Sequence, residues 1–315
     1  MKKINKDNIY QYVPIILLVV LCIVFSIATG GRFSSAVNIK TMVSQTLVIA
    51  VLSLGAIFNF STGNINASMG GASAVAAIVG ARVYNSTGSW VLLVIVTLGV
   101  GLFIMLGTCI FSLKFHVHMM MMTLIVMNLL SAIQSAMLVG KSSEGVPYSF
   151  VTVSNQYYLP FIIAGVFLII CVILFNLTPL GRQLKFLGAN ASCADQTGFD
   201  YNKLMIISFG VAGFAAGLAG ILTLMRTASI GTTTNASANM DVMLAIVLAG
   251  MPINGGAKSK ISAGIIGSFL VTVLNSGLVM VGVSSTIIQA IRGICFIVII
   301  ALAVEKGSGI PGREI

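Results

Sequence analysis

Charged side chains are scarce in this chain. Only 8% of its 315 residues are Asp, Glu, Lys or Arg, whereas soluble domains contain about 25%. Hydrophobic residues make up 57% of the chain, and the mean hydropathy is +1.06. This composition excludes a water-soluble globular protein.

Acidic residues and histidines are especially rare, with seven Asp and Glu residues and two histidines in the whole chain. No acid occurs between Asp7 and Glu144, and no Ser-His-Asp, paired-carboxylate or Cys-His arrangement is visible. His116 and His118 are two residues apart, so they point to different sides of a helix. The sequence therefore predicts no catalytic residues, no metal site and no cofactor.

The few cysteines show no spacing typical of a disulfide or a zinc site. Four of the five lie inside apolar runs and one stands alone in a polar loop. Lys and Arg outnumber Asp and Glu by 17 to 7. In a membrane protein this excess indicates loops facing an anionic cytoplasmic surface, and it does not indicate a nucleic-acid partner.

Long apolar runs bounded by Gly, Asn, Lys or Arg fill most of the sequence. A helix needs about 20 such residues to cross a bilayer, and these runs do not alternate with the period of two typical of membrane barrels. We therefore predict an all-α polytopic membrane protein, with residues 1–315 forming one transmembrane domain. The predicted spans number about ten and lie near residues 13–29, 41–60, 66–81, 90–113, 116–138, 157–178, 203–225, 240–251, 261–281 and 286–304.

Two of these spans are weak. The segment 66–81 is rich in Gly and Ala, and 240–251 is too short to cross unaided, so either could be a broken or half-crossing helix. Counting from a cytoplasmic N-terminus places most Lys and Arg residues in inside loops. This bias favours an even number of crossings with both termini in the cytoplasm.

Polar residues interrupt the apolar pattern at two places. Residues 54–77 contain Asn59, Asn64 and Asn66 among glycines, and residues 248–259 form a second Gly/Asn-interrupted junction before a small-residue helix. Each could be a polar turn between helices or a turn that shapes a conduit. The recurrence in both halves predicts an internal inverted repeat of the kind found in transporters.

Two further features leave alternatives open. Arg292 is the one cation well inside a predicted span, and it could face a partner, line a pathway or extend to a membrane boundary. The polar loop 179–203 carries helix signals, since Asn190 can cap, residues 191–197 can form about two turns and Gly198 can terminate them. That segment could be a short surface helix or a simple connector.

Three stretches carry a family resemblance. Residues 62–70 read Thr-Gly-Asn-Ile-Asn-Ala-Ser-Met-Gly, similar to T-G-G-I-D-L-S-V-G, and the other two stretches are 180–190 and 241–256. With them the chain, from about residue 38 to 304, resembles permease subunits of ATP-binding-cassette importers. The branch it resembles takes up ribose, galactose, xylose, autoinducer-2 and similar small sugars, and a nucleoside-uptake group is close to it.

The resemblance implies a transport subunit without enzymatic activity in a bacterial inner membrane. Its implied partners are a cytoplasmic ATPase that hydrolyses ATP, an extracytoplasmic solute-binding protein and a second permease in a homodimer or heterodimer. It also favours a coupling helix that inserts into the ATPase, where Ala194 and Gly198 match the family pattern E-A-A-x-x-x-G and Ser192 and Cys193 depart. The implied coupling residues are Asn190, Ala191, Ser192, Cys193, Ala194, Asp195 and Gly198.

Within such a permease, polar side chains in apolar surroundings are candidates for the translocation path. Asn66 replaces the usual acid and Asn64 the usual Gly, which fits either a paralogue in a heterodimer or a shifted substrate. A nucleoside permease and, less favoured, a stand-alone secondary transporter remain alternatives; the latter would need ionisable residues in its spans. The candidate path residues are Asn59, Asn64, Asn66 and Asn128.

Overall fold

The computed structural model describes residues 6–147, 150–152, 158–190, 198–232, 234, 237–252 and 255–306. Most of them are helical, because in lipid a chain must satisfy its backbone hydrogen bonds internally. The helices, in chain order, are α1 (Lys6–Ala28), α2 (Ala36–Ser61), α3 (Met69–Thr87), α4 (Trp90–Phe115), α5 (Met119–Met137), α6 (Leu159–Val172, continued by a π-helix over Ile173–Leu177), α7 (Pro179–Ala189), α8 (Tyr201–Thr227), α9 (Ala238–Leu248), α10 (Ser262–Met280) and α11 (Ser285–Lys306).

Six helices in the described part of the chain are long and apolar enough to cross a membrane: α2, α4, α5, α6 with its π-helical extension, α8 and α10. This confirms the prediction of an all-α polytopic membrane protein. Shorter apolar helices occur in α1, α9 and α11. Helix α9 has 11 residues and is therefore about 16 Å long, roughly half the hydrocarbon thickness. The described residues contain six helices of spanning length, so the prediction of about ten spans, two of them weak, stays a prediction.

Helix α8 lies at the centre of the bundle and packs against α2, α3 and α4. Small residues allow the close approach, since a Cβ atom added to Gly217 would lie 2.8 Å from the Cα of Leu98, and one added to Gly220 would lie 2.8 Å from the carbonyl oxygen of Ser73. Helices α9 and α10 pack against each other and against α2, and α1 lies on α10. The buried core therefore surrounds α2 and α8.

One end of the bundle carries two short strands, β1 (Ser143–Gly145) and β2 (Ser229–Gly231), which pair antiparallel. The sequence did not predict them. The side chain of Gln134 donates to the carbonyl oxygen of Gly231 at 2.7 Å, which ties α5 to β2. We call this the strand end. The segments that meet here belong to loops predicted to share the outer side of the membrane.

The opposite end, which we call the break end, contains the two Gly/Asn-interrupted junctions of the sequence. The backbone N–H of Gly256 donates to the carbonyl oxygen of Ser61 at 3.0 Å, which joins the second junction to the first. The last turn of α7 reaches the same place, because a Cβ atom on Gly188 would lie 2.8 Å from the nitrogen of Gly256. These three segments were all predicted to lie on the inner side, so the structure groups the loops as the sequence did.

Candidate functional site

The first junction is a tight polar turn between α2 and α3. Helix α2 stops at Ser61 because Gly63 has a φ of 79°, a left-handed conformation that glycine adopts readily. The hydroxyl of Thr62 donates to the carbonyl oxygen of Asn59 at 2.7 Å. Asn66 stabilises the segment just before α3. Its Oδ1 accepts hydrogen bonds from the backbone N–H of Ser68 at 3.1 Å and from the Ser68 hydroxyl at 2.9 Å.

Two of the asparagines in this turn region also hold neighbouring helices. Asn59 is fully buried, and its Oδ1 accepts from the hydroxyl of Ser208 on α8. Its Nδ2 has no hydrogen-bond partner among the described residues. Asn66 is 1% exposed, and its Nδ2 contacts the Sδ of Met105 on α4 at 3.4 Å. These contacts make Asn59 and Asn66 part of the protein interior.

Asn64 and Asn128 differ from that pair. Asn64 is half-buried, and its Nδ2 donates to the Thr62 hydroxyl at 3.1 Å. Asn128 lies on the exposed face of α5 and donates to the Leu124 carbonyl oxygen of its own helix at 3.1 Å. The structure therefore brings three of the four candidate path residues into one turn and leaves the fourth on a separate surface. Their role in a translocation path stays a prediction.

The two ends of the predicted coupling segment lie close to the break end. Asn190 follows α7 directly, and its backbone N–H donates to the carbonyl oxygen of Phe186 at 3.1 Å. Gly198 has a φ of 78°. The rings of Phe186 and Phe199 meet edge to face with their centroids 5.7 Å apart, so they close the base of the loop. The remaining predicted coupling residues lie outside the described residues: Ala191, Ser192, Cys193, Ala194 and Asp195.

Charged residues on both sides of this segment have shifted pKa values. The backbone N–H of Lys203 donates to the Asp200 carboxylate at 3.1 Å and, as the largest cause, lowers the pKa of Asp200. This bond also caps the N-terminus of α8. On α7, burial lowers the pKa of Lys185, whose Nζ lies 4.4 Å from the centre of the Phe175 ring. Asp200 thus caps the start of α8, and Lys185 packs against the π-helical end of α6.

The intramembrane cation has an acidic partner. The Nη1 of Arg292 on α11 lies 3.0 Å from the Oδ1 of Asp241 on α9. Asn275 on α10 bridges the two, since it accepts from the Nε of Arg292 at 2.8 Å and donates to the Oδ1 of Asp241 at 3.3 Å. Of the alternatives that the sequence left open for Arg292, the structure shows the one with a partner. The sequence did not predict this three-residue cluster.

Comparison with known proteins agrees with these features. Residues 38–300 match the model of a family described as the branched-chain amino acid transport system permease component. The chain belongs to this permease family. It covers the permeases below along most of their length.

Three relatives illustrate the similarity. The permease is 27% identical to the ribose import permease protein of Escherichia coli over 307 residues, which are 93% of this chain and 92% of that protein. It is 26% identical to the ribose import permease protein of Bacillus subtilis over 314 residues, 98% of this chain and 97% of that one. Identity to the autoinducer 2 import system permease protein of Photorhabdus laumondii is 27% over 271 residues, 84% and 80% of the two chains. No solved structure matches this permease.

Proposed function

We propose that this permease is the membrane-spanning subunit of a bacterial importer that takes up a small sugar. The observation that carries the proposal is similarity to ribose import permeases along 93% or more of the chain. In this proposal a separate ATPase in the cytoplasm supplies the energy, and an extracytoplasmic binding protein delivers the sugar. A second permease subunit completes the assembly in the inner membrane.

The break end offers a mechanical route from the ATPase to the spanning helices. The coupling segment follows α7, and α7 contacts both interrupted junctions through Gly188. Glycine is required there because a larger residue would meet the backbone of Ser61 and Gly256. A push on the coupling segment would therefore move α7 directly against the ends of α2 and the segment before α10. Such closely packed segments transmit movement rather than absorb it.

The two junctions would act as hinges in this mechanism. Gly63 and Gly255 both have a positive φ, 79° and 69°, and residues in that region commonly absorb changes in backbone direction. Rocking of α2 and α3 about the first junction would open the path to one side at a time. Asn64, which is half-buried beside this hinge, is the path candidate whose exposure would change most.

The test is reconstitution of the permease with its ATPase and binding protein in liposomes. We expect ATP-dependent uptake of D-ribose or a related small sugar, and no uptake by the permease alone. Uptake against a gradient without the ATPase would contradict the proposal and favour a secondary transporter. Uptake of nucleosides but not of sugars would assign the permease to the nucleoside alternative.

The coupling role is tested by a matched pair of substitutions. Gly198 and Gly88 both have a positive φ, 78° and 66°, and a Cβ atom at either would meet no atom of the described residues within 4 Å. Gly198 lies at the coupling segment, whereas Gly88 caps the C-terminus of α3, on the strand-end side. We expect Gly198→Trp to abolish binding of the ATPase and Gly88→Trp to preserve it. Equal ATPase binding by the two variants would remove the coupling role from this segment.

A further inference from the structure

A groove at the strand end combines two cationic side chains with an apolar floor. It lies between the start of α2, the start of α6 and the last turns of α8, and its volume is about 380 Å³. Lys40 and Arg226 line it near the helix ends, and Phe161 lines its side on α6. Leu47 and Leu222 line it deeper in the bundle, about 10 Å and 6 Å further along the two helices. We call it the outer groove.

The two cations lack an acidic partner in the described part of the chain. Neither Lys40 nor Arg226 forms an ion pair with a described residue. Two like charges in one groove repel each other, and the repulsion is stronger near apolar groups than in bulk water. An anion that binds close to both side chains would relieve this repulsion.

The acidic residues of the chain do not supply that anion. Glu144 is already paired with Arg82 and Lys141. Asp241 is already paired with Arg292. In the predicted orientation a second copy of the chain therefore brings no free carboxylate to the outer groove. The remaining five of the seven acids belong to segments predicted to lie in the cytoplasm: Asp7, Asp195, Asp200, Glu305 and Glu314.

The cations of the outer groove lie at the level of lipid headgroups. Helices α2 and α8 have 26 and 27 residues, so each is about 40 Å long, which matches the hydrocarbon core together with the headgroup regions. Lys40 is the fifth residue of α2, and Arg226 is the second-last residue of α8. Both side chains are therefore within reach of lipid phosphates. Basic pockets between membrane helices are typical sites for anionic headgroups.

The apolar floor distinguishes a phospholipid from a free phosphate ion. Phe161 is 44% exposed, and the neighbouring Ile162 and Val166 on α6 are 55% and 51% exposed. On a helix of spanning length, such exposed apolar side chains are suited to contact acyl chains. A free phosphate ion would gain nothing from them. A phospholipid gains from both parts of the groove, because its phosphate meets the cations while an acyl chain covers the apolar side chains.

We propose that the outer groove binds an anionic phospholipid, in the outer leaflet of the membrane in the predicted orientation. Lys40 and Arg226 bind the headgroup phosphate, and Leu47, Leu222 and Phe161 contact an acyl chain. The lipid thereby connects the start of α2 to the end of α8. This inference does not depend on which solute the permease transports.

Fluorescence quenching in vesicles tests the proposal at the groove itself. Trp90 is the single tryptophan of the chain, so Trp90→Phe gives a background without tryptophan, and Phe161→Trp places a probe in the groove. The full-length permease is reconstituted in phosphatidylcholine that contains a minor share of lipid with brominated acyl chains. At about one-fifth brominated lipid, we expect brominated phosphatidylglycerol to quench the probe about four times as strongly as brominated phosphatidylcholine. Phe103→Trp, at a position 79% exposed on α4, is the control and should be quenched equally by the two lipids.

Charge variants show whether the two cations cause the preference. Lys40→Gln with Arg226→Gln should abolish the difference between the two lipids. Arg32→Gln with Lys114→Gln removes the same charge from exposed positions outside the groove and should preserve the difference. Lys40→Arg with Arg226→Lys keeps both charges and should preserve it as well. Unchanged quenching of Phe103→Trp in each background verifies that the variant is folded in the membrane.

The other outcomes overturn the proposal. Equal quenching of Phe161→Trp by the two lipids would show that the groove does not select an anionic lipid. Weak quenching by both lipids, with normal quenching of Phe103→Trp, would show that a second permease subunit covers the groove. Displacement of brominated phosphatidylglycerol by inorganic phosphate would identify a site for small anions. A preference that survives Lys40→Gln with Arg226→Gln would place the lipid elsewhere.

Discussion

Ser61 and Gly256, almost 200 residues apart in the sequence, are joined by a backbone hydrogen bond of 3.0 Å. This bond connects the end of α2 to the segment that precedes α10. Gly188, at the end of α7, is wedged against both residues. The two interrupted junctions therefore form one contact region, and the helix that precedes the coupling segment is part of it.

The fit at Gly188 predicts a stability defect from one added methyl group. In Gly188→Ala the Cβ atom would lie 2.8 Å from the Gly256 nitrogen and closer to the Ser61 carbonyl oxygen, so α7 has to shift. We expect the free energy of unfolding to fall by about 1–3 kcal/mol, measured by thermal unfolding in detergent. Gly165→Ala on α6 is the control, because its Cβ atom would have no neighbour within 4 Å in the part of the chain that the structure describes. Equal melting temperatures of the two variants would contradict the contact.

The hydrogen bond between Asn59 and Ser208 predicts a non-additive pair of substitutions. Ser208→Ala leaves the buried Oδ1 of Asn59 without its hydroxyl donor, which should cost about 1–3 kcal/mol of unfolding free energy. In Asn59→Leu with Ser208→Ala the unsatisfied amide is gone, so we expect the double variant to be more stable than Ser208→Ala alone. Additive losses would show that the two side chains do not interact.

The ion pairs of Glu144 lead to a prediction about what stabilises the strand end. Its carboxylate lies 3.4 Å from Arg82 on α3 and 3.4 Å from Lys141, and its side chain is 9% exposed. Glu144→Gln removes the charge from this mostly buried site, which leaves Arg82 without its carboxylate partner. We expect faster hydrogen exchange at the amides of β1 and β2, with the centre of α8 unchanged. Unaltered exchange in β1 would show that strand pairing alone fixes this end.

The capping bond of α8 predicts a pH dependence next to the coupling segment. The pKa of Asp200 is lowered, chiefly by the backbone N–H of Lys203, so the ionised carboxylate favours the folded cap above its ordinary pKa. This contribution is lost as the pH falls through the lowered value, below about pH 4. We expect hydrogen exchange of the Lys203 amide to accelerate there, after correction for the intrinsic rate.

The matched variant for this prediction is Asp200→Asn. Asparagine caps helices about as well as aspartate but does not ionise, so the cap should form at every pH. Protection of the Lys203 amide should then be independent of pH. A variant with the same pH dependence as the wild type would assign that dependence to another group.

The spanning helices were predictable because a continuous apolar run in lipid must satisfy its backbone hydrogen bonds internally, and the α-helix does so within a single segment. The predicted spans 90–113 and 261–281 correspond to helices Trp90–Phe115 and Ser262–Met280. Where the prediction deviates, polar residues are the cause. Helix α3 continues past residue 81 to Thr87 and ends where Gly88 adopts a φ of 66°. The residues after 81 are too polar for the hydropathy pattern to include them in the predicted span.

The contacts between distant segments were not predictable in the same way. Arg292 was recognised as an intramembrane cation, yet its bridge to Asp241 through Asn275 depends on how α9, α10 and α11 pack. Asn275 is 17 residues from Arg292 and 34 from Asp241 in the sequence, and no periodic pattern links them. The pairing of β1 with β2 was missed for a similar reason, since three-residue strands leave no alternation to detect.

The contact between Phe186 and Phe199 has a consequence for how such permeases diversify. These two rings meet at the two ends of the predicted coupling segment, so the end of α7 and the start of α8 contact each other without the residues between them. Substitutions or length changes in that excursion need no compensating adjustment among the spanning helices. If the segment binds the ATPase as proposed, exchanging these few residues would change which ATPase is recognised and leave the contact between α7 and α8 in place.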